Sequence, residues 1–191
     1  IAVPQFVSLL LMRNFLNDHG PLNGLLQTLH ITNGPIPFLT DPLWAKLSII
    51  FVNMWIGIPF TMLVATGIIM NLPTEQIEAA EIDGASKFQI FKSITFPQIL
   101  LIMAPSLIQQ FIGNINNFNV IYFLTGGGPK NSEYYQAGST DLLVTWLYKL
   151  TVSAKDYNLA SVIGILIFAI SATFSLLAYT RSSSFKEGAA K

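Results

Sequence analysis

Three long apolar runs, residues 43–70, 97–124 and 158–180, alternate along the chain with polar stretches marked by proline and glycine. A helix needs roughly 20 mostly apolar residues to cross a bilayer's hydrocarbon core, so each run predicts a membrane-spanning helix. Residues 1–16 are apolar but interrupted by Pro4, Gln5 and Arg13, and read as the far end of a fourth helix in the C-terminal part of a longer protein. The expected fold class is an all-α integral membrane domain. Between residues 17 and 42, Pro21, Pro35, Pro37 and Pro42 break the chain around a short amphipathic piece at 22–29. A second such piece, 142–150, carries Trp146 and Tyr148, side chains suited to a membrane interface.

The polar segment 71–96 predicts two short helices joined at Gly84. Thr74 is the expected cap of the first, with Glu75 and Glu78 placed where acids favour a helix N-terminus. Ser86 and Gln89 form a capping box for the second. Ile77, Ala80 or Ala85, Phe88 and Phe91 recur at helical spacing, which predicts apolar stripes laid on a neighbour with charge facing out. Between the second and third runs, Gly126-Gly127-Gly128-Pro129-Lys130 lacks the Gly-Lys-Ser/Thr order of a phosphate loop and reads as a flexible exit from a helix.

Composition sharpens this picture. Apolar residues make up 52% and charged residues 10%, far below the roughly one-quarter charged of soluble domains. The formal net charge of zero gives no electrostatic footprint for nucleic acid, and the absence of cysteine removes thiolate chemistry and Cys-based zinc sites. His19 and His30 have no nearby Cys or Glu and form no metal signature.

Candidate chemistry lies in the polar residues inside the runs. On an ideal helix Asn53, Ile56, Gly57 and Phe60 share one face, while Pro59 frees the carbonyl of Trp55 and kinks the helix. Trp55 points the other way and is assigned to packing. Gln110, Asn114 and Asn117 fall within about 60° of one another, with Gly113 beside them to permit close approach. Amides can donate to and accept from hydroxyls, and an aromatic ring can cover the apolar face of a pyranose, so these two faces suit a sugar. Ordinary interhelical packing is the alternative, and Gln109, Asn116 and Asn119, on other faces, are assigned to it. The expected spans hold no acid or histidine at depth, which speaks against a membrane-embedded enzyme and against an ion-gradient-driven secondary transporter.

One stretch carries a resemblance. Glu78-Ala79-Ala80, three residues, Gly84, nine residues, then Ile94-x-Phe96-Pro97 resembles the cytoplasmic EAA loop of ABC importer membrane subunits, and the flanks are similar to maltose/maltodextrin permeases of the MalF type. Phe96 departs from the leucine usual there. The resemblance covers nearly the whole chain and implies a type I importer transmembrane domain fragment, with loop 71–96 docking on an ATPase subunit through Glu78, Ala79, Ala80, Gly84 and Phe88. ATP and Mg would be bound by that partner, with no cofactor on this chain. Further implied partners are a second permease subunit, an extracellular or periplasmic sugar-binding protein and the lipid of a bacterial cytoplasmic membrane. Lys and Arg tie across the two sides, five against five, so the resemblance alone sets loop 71–96 and the C-terminus in the cytoplasm. It also implies that Asn53, Ile56, Gly57, Phe60, Gln110, Gly113, Asn114 and Asn117 line a sugar site. Phe60, Gln110 and Gly113 depart from the family's best-known pattern, and the lost ring at Gly113 implies a wider site. A permease for another solute stays open.

Overall fold

The structure, a computed structural model, describes residues 3–181. Its helices are α1 (Gln5–Phe15), α2 (Pro21–Thr28), α3 (Pro42–Ile69), α4 (Glu75–Ile82), α5 (Lys87–Ile90), α6 (Phe96–Ile115), α7 (Phe118–Leu124), α8 (Leu143–Lys149) and α9 (Tyr157–Arg181). Among the described residues, three segments are long and apolar enough to cross a membrane: Pro42–Ile69, Lys87–Ile115 and Tyr157–Ala178. Only 11% of the 18-residue apolar stretch in each is buried within the chain. Apolar surface on that scale requires lipid or other helices against it. The polar stop expected at residues 182–184 and Lys186 lies outside the described residues.

The expected single helix over 97–124 is two helices. α6 stops at Ile115 and α7 restarts at Phe118, because Asn117 takes a non-helical φ/ψ of −77°/79° and caps α7 with its side chain. Asparagine is among the preferred N-cap residues, so its own chemistry favours the break. At its other end the helix continues back beyond Pro97 through a π-helical turn, Phe91–Thr95, to α5. Proline has no N–H for the carbonyl four residues earlier, and a π turn is a common way to absorb such a mismatch.

The chain forms two compact units. The first comprises the described residues to Gly57 together with Gly113–Ser171. Its main core joins Leu9 and Leu16 of the α1 region, Val52 of α3, and Val120 and Leu124 of α7; a second joins Leu150, Ala160 and Ile163. Asn23 on α2 is 1% exposed yet well partnered. Its Nδ2 donates to the carbonyls of Asn17 at 3.2 Å and Ile36 at 3.0 Å, and its Oδ1 accepts from the Ile36 N–H at 2.8 Å. One amide therefore folds the proline-rich stretch before α3.

The glycine run is no flexible exit. Gly126 and Gly127 adopt φ of 61° and 81°, and the Thr140 hydroxyl donates to the Gly128 carbonyl at 2.6 Å. Asp141, its side chain 2% exposed, accepts from the Gly138 N–H and from Lys149 Nζ, both at 2.6 Å. A β-carbon on Gly127 would run into the Asp141 carboxylate. Phe118, Tyr122 and Tyr148 form an aromatic cluster with centroids 5.0 to 5.2 Å apart. The side-chain hydrogen bond with Tyr122 raises the Tyr148 phenol above its ordinary pKa.

The second unit comprises Ile58–Ile112 and the described residues from Ala172. Gly84 turns the chain between α4 and α5 at φ 81°, and Ser86 and Gln89 make the expected capping box. Thr74 does not cap: it is helical, at φ/ψ −70°/−24°, and its carbonyl rather than its side chain meets the first N–H groups of α4. The expected apolar stripes are only partly covered. Ile90 is buried and Ile77, Ala80 and Ala85 are half-buried, whereas Phe88 and Ile82 are 73% and 86% exposed.

Replacing Asn23 by Ala removes three hydrogen bonds; the Asn17 and Ile36 carbonyls keep the N–H groups of Gly20 and Phe38, but the Ile36 N–H is left unpaired, a cost of about 1–3 kcal/mol where it stays buried. Asn23→Ala is expected to speed proteolysis between Asn17 and Pro42 in the intact protein, measured by timed digestion; an unchanged cleavage rate would contradict the clamp.

Candidate functional site

Within the first unit the structure joins three of the asparagines singled out by pattern. Asn53 Nδ2 donates to Asn114 Oδ1 at 2.9 Å, and Asn117 Nδ2 donates to Asn53 Oδ1 at 3.0 Å and to Asn114 Oδ1 at 3.4 Å. Asn117 Oδ1 in turn accepts the Val120 N–H at 3.3 Å as the cap of α7. Ideal helix geometry does not carry Asn117 there, since α6 has ended; the break does.

Asn53 and Asn117 are half-buried and Asn114 is exposed. Gly57 and Gly113 both face open space, with nothing within 4 Å of an added β-carbon. Ile56 is half-buried and packs on the main core, so it serves as wall rather than as contact surface. The triad thus combines anchored amides with two glycines that leave room for a ligand. Asn116 leaves this face as expected, and its Nδ2 donates to Ser171 Oγ of α9 at 2.9 Å. Asn119 approaches Gln5 of α1 at 3.4 Å. Trp55 does not pack inside the chain: it is 62% exposed and borders an apolar groove with Leu11, Met12 and Phe15.

The remaining pair of site residues lies in the second unit. Gln110 Oε1 accepts from Thr61 Oγ1 at 3.0 Å, and its Nε2 reaches Ser106 Oγ at 3.4 Å. Half of the Gln110 hydrogen-bonding capacity is therefore spent within the unit. Thr61 was missed by sequence reasoning, although it follows Phe60 directly and lies one turn beyond Gly57 on the same helix. Phe60 is 51% exposed.

The 71–96 loop offers the second surface. Glu78, Ala79, Gly84 and Phe88 are exposed and Ala80 is half-buried. A hollow of about 410 Å³ lies in the elbow between α4 and α5, lined by Ala80, Asp83, Gly84 and Ile90 among others. No group of three or more acids and histidines able to hold a metal occurs among the described residues.

Three helical segments long and apolar enough to span a membrane define an integral membrane fold. The chain belongs to the family described as Binding-protein-dependent transport system inner membrane component, whose profile it matches over residues 1–184. It is 41% identical to the galactooligosaccharides transport system permease protein GanP of Bacillus subtilis, over 98% of this chain and 45% of that protein. It is 38% identical to the maltodextrin transport system permease protein MalC of Streptococcus pneumoniae, over 96% of this chain and 44% of that one. A bacterial alginate ABC transporter, solved in complex with an alginate pentasaccharide-bound periplasmic protein, superposes with a TM-score of 0.81 at 25% identity, over 96% of this chain and 62% of its own. The chain spans less than half the length of these curated relatives.

A double-mutant cycle on Thr61→Val and Gln110→Leu, read by thermal unfolding in detergent, is expected to give a coupling of about 0.6 kcal/mol and at most roughly 2 kcal/mol, as for interhelical hydrogen bonds in membranes. Strict additivity would remove the Thr61 to Gln110 bond from the site.

Proposed function

We propose that this chain is part of one permease subunit of an ATP-driven, binding-protein-dependent sugar importer of the bacterial cytoplasmic membrane, and that maltodextrin is its cargo. The observation that carries the reading is the convergence of Asn53, Asn114 and Asn117 beside two open glycines within helices otherwise apolar. A neutral, hydroxyl-rich solute is met by amides without the cost of burying a charge. Asn53, Gly57, Gly113, Asn114 and Asn117 contact or make room for the sugar, and Ile56 is wall. The relatives' printed substrates, galactooligosaccharides and maltodextrin, support an oligosaccharide. The higher identity to the former makes a galactooligosaccharide the second candidate cargo.

The chain itself hydrolyses nothing on this reading. ATP and Mg are bound by two partner subunits, one of which grips the elbow through Glu78, Ala79, Ala80, Gly84 and Phe88, and the exposed Phe88 and Ile82 supply apolar surface for that grip. α3 contains Asn53 and leads into the elbow, and the helix leaving the elbow continues through α6 to Asn114. Closure of the ATPase subunits then favours one of two packings of these helices, exposing the amides to a sugar-binding protein outside. A second permease subunit covers the remaining apolar surface.

In the assembled transporter, Asn114→Ala and Asn117→Ala are expected to lower sugar uptake at least about tenfold, the effect of losing roughly 1.4 kcal/mol or more of recognition. Unchanged uptake in both would remove the assignment. Gly84→Pro cannot keep φ at 81°, since the proline ring fixes φ near −65°. Together with Glu78→Lys it is expected to leave ATP hydrolysis running while vesicle uptake stops, and normal coupled transport in both variants would contradict the docking.

A further inference from the structure

The three site asparagines are wired in one direction. Each side-chain amide has an oxygen end that accepts and a nitrogen end that donates, and which end faces which neighbour is set by the surrounding network. A backbone N–H can only donate. The Val120 N–H, at the third position of α7, therefore requires Asn117 to present its oxygen to the helix and its nitrogen to the interior. Facing that nitrogen, Asn53 must present its oxygen, which turns its own nitrogen towards Asn114. Asn114 must then present its oxygen to both. All three amide oxygens are thereby engaged by N–H groups. Among the described residues the Asn114 amide nitrogen has no acceptor, and Asn114 is the exposed member of the three.

We propose that the backbone N–H of Val120, through the cap of α7, fixes the polarity of this amide chain so that the sugar site presents donors, and so selects the acceptor oxygens of a sugar hydroxyl, ring or glycosidic bond. The inference rests on the sugar-importer reading and adds the sense of its hydrogen bonds. Val120 is the positioning residue here; its backbone N–H sets the polarity, while its side chain packs in the main core. Reversed wiring would offer the free oxygen of Asn114 and would require the sugar hydroxyl to donate.

Paired analogues separate the two senses, because fluorine accepts a hydrogen bond weakly but cannot donate one. Maltose and its singly deoxy and singly deoxyfluoro analogues are titrated against the intact transporter. For at least one hydroxyl the deoxy analogue is expected to lose about tenfold in affinity while the deoxyfluoro analogue stays within about threefold of maltose. Equal losses for the two analogues at every hydroxyl that matters would overturn the proposal.

Val120→Pro supplies the control on cause. Proline is tolerated in the first turn of a helix, where it removes the N–H that the cap needs; it also trims the packing of Val120 in the main core, a loss that Val120→Ala shares. It should shrink the difference between fluoro and deoxy analogues, whereas Val120→Ala, which keeps the N–H, should preserve it. The same difference in both variants would contradict the role of the cap.

A readout without ligand tests the wiring even if maltose is not the cargo. In solid-state NMR of the sugar-free transporter labelled at asparagine, the Asn114 side-chain amide protons are expected to exchange with water fastest of the three. Slower exchange at Asn114 than at Asn117 would overturn the proposal whatever the substrate, while failure of every maltodextrin to bind, with that order of exchange intact, would count against the cargo alone.

Discussion

Hydrocarbon offers no hydrogen-bond partners, and that constraint governs this structure. A polar group at depth must be satisfied by the chain, by a partner or by a water-filled path, and an unsatisfied one costs several kcal/mol. The three spans answer it by being almost wholly apolar and by gathering amides at few places. Asn53, Asn114 and Asn117 satisfy one another, Asn116 is held by Ser171, and Gln110 is held by Thr61 and Ser106. In the first unit the exposed Asn114 keeps an unspent amide nitrogen, and Gly57 and Gly113 on the same helices leave open space. Polar groups left over in such surroundings invite a polar cargo.

The same constraint explains why so little of each span is covered. A soluble domain with Phe51, Trp55, Leu101 and Phe168 more than half exposed would aggregate; in a bilayer these side chains meet acyl chains or further helices. Outside the hydrocarbon the construction changes. The loops are held by buried polar clamps, Asn23 in one and the Asp141 to Lys149 ion pair in the other, because water-facing loops have little apolar area to fold around. The elbow at 71–96 is held by a capping box and a left-handed glycine, which fix its shape while leaving Phe88 and Ile82 uncovered.

Much of the architecture is legible in the sequence because membranes impose simple rules. The three apolar runs, the amphipathic pieces around 22–29 and 142–150, Gly84 as a turn and Ser86 with Gln89 as a cap follow from period, length and local chemistry. The break at Asn116 and Asn117 is less so. The residues from Pro97 to Leu124 stay mostly apolar on both sides of the break, and only the N-cap preference of asparagine marks the interruption. The order of the Gly126–Gly128 turn depends on Asp141 and Lys149, more than ten residues away, which no local pattern supplies. Helical phase puts Asn53 on one face and Gln110, Asn114 and Asn117 together on another; the Asn53 to Asn114 hydrogen bond is tertiary, and Asn117 joins them through the break rather than through helical phase. Trp55 shows the limit of face arguments: the opposite side of a membrane helix is not thereby packed within its own chain.

The claim on which the account rests is that the amide patch is a wet, sugar-accessible path while the apolar flanks are not. The chain contains no cysteine, so single cysteines can be placed one at a time in the assembled transporter at Asn53, Asn114, Leu101 and Phe168 and their reaction with a water-soluble thiol reagent timed. The account predicts reaction at the first two, slowed by transported sugar, and none at the last two. Equal reactivity at all four, or inert cysteines at both asparagine positions, would contradict it.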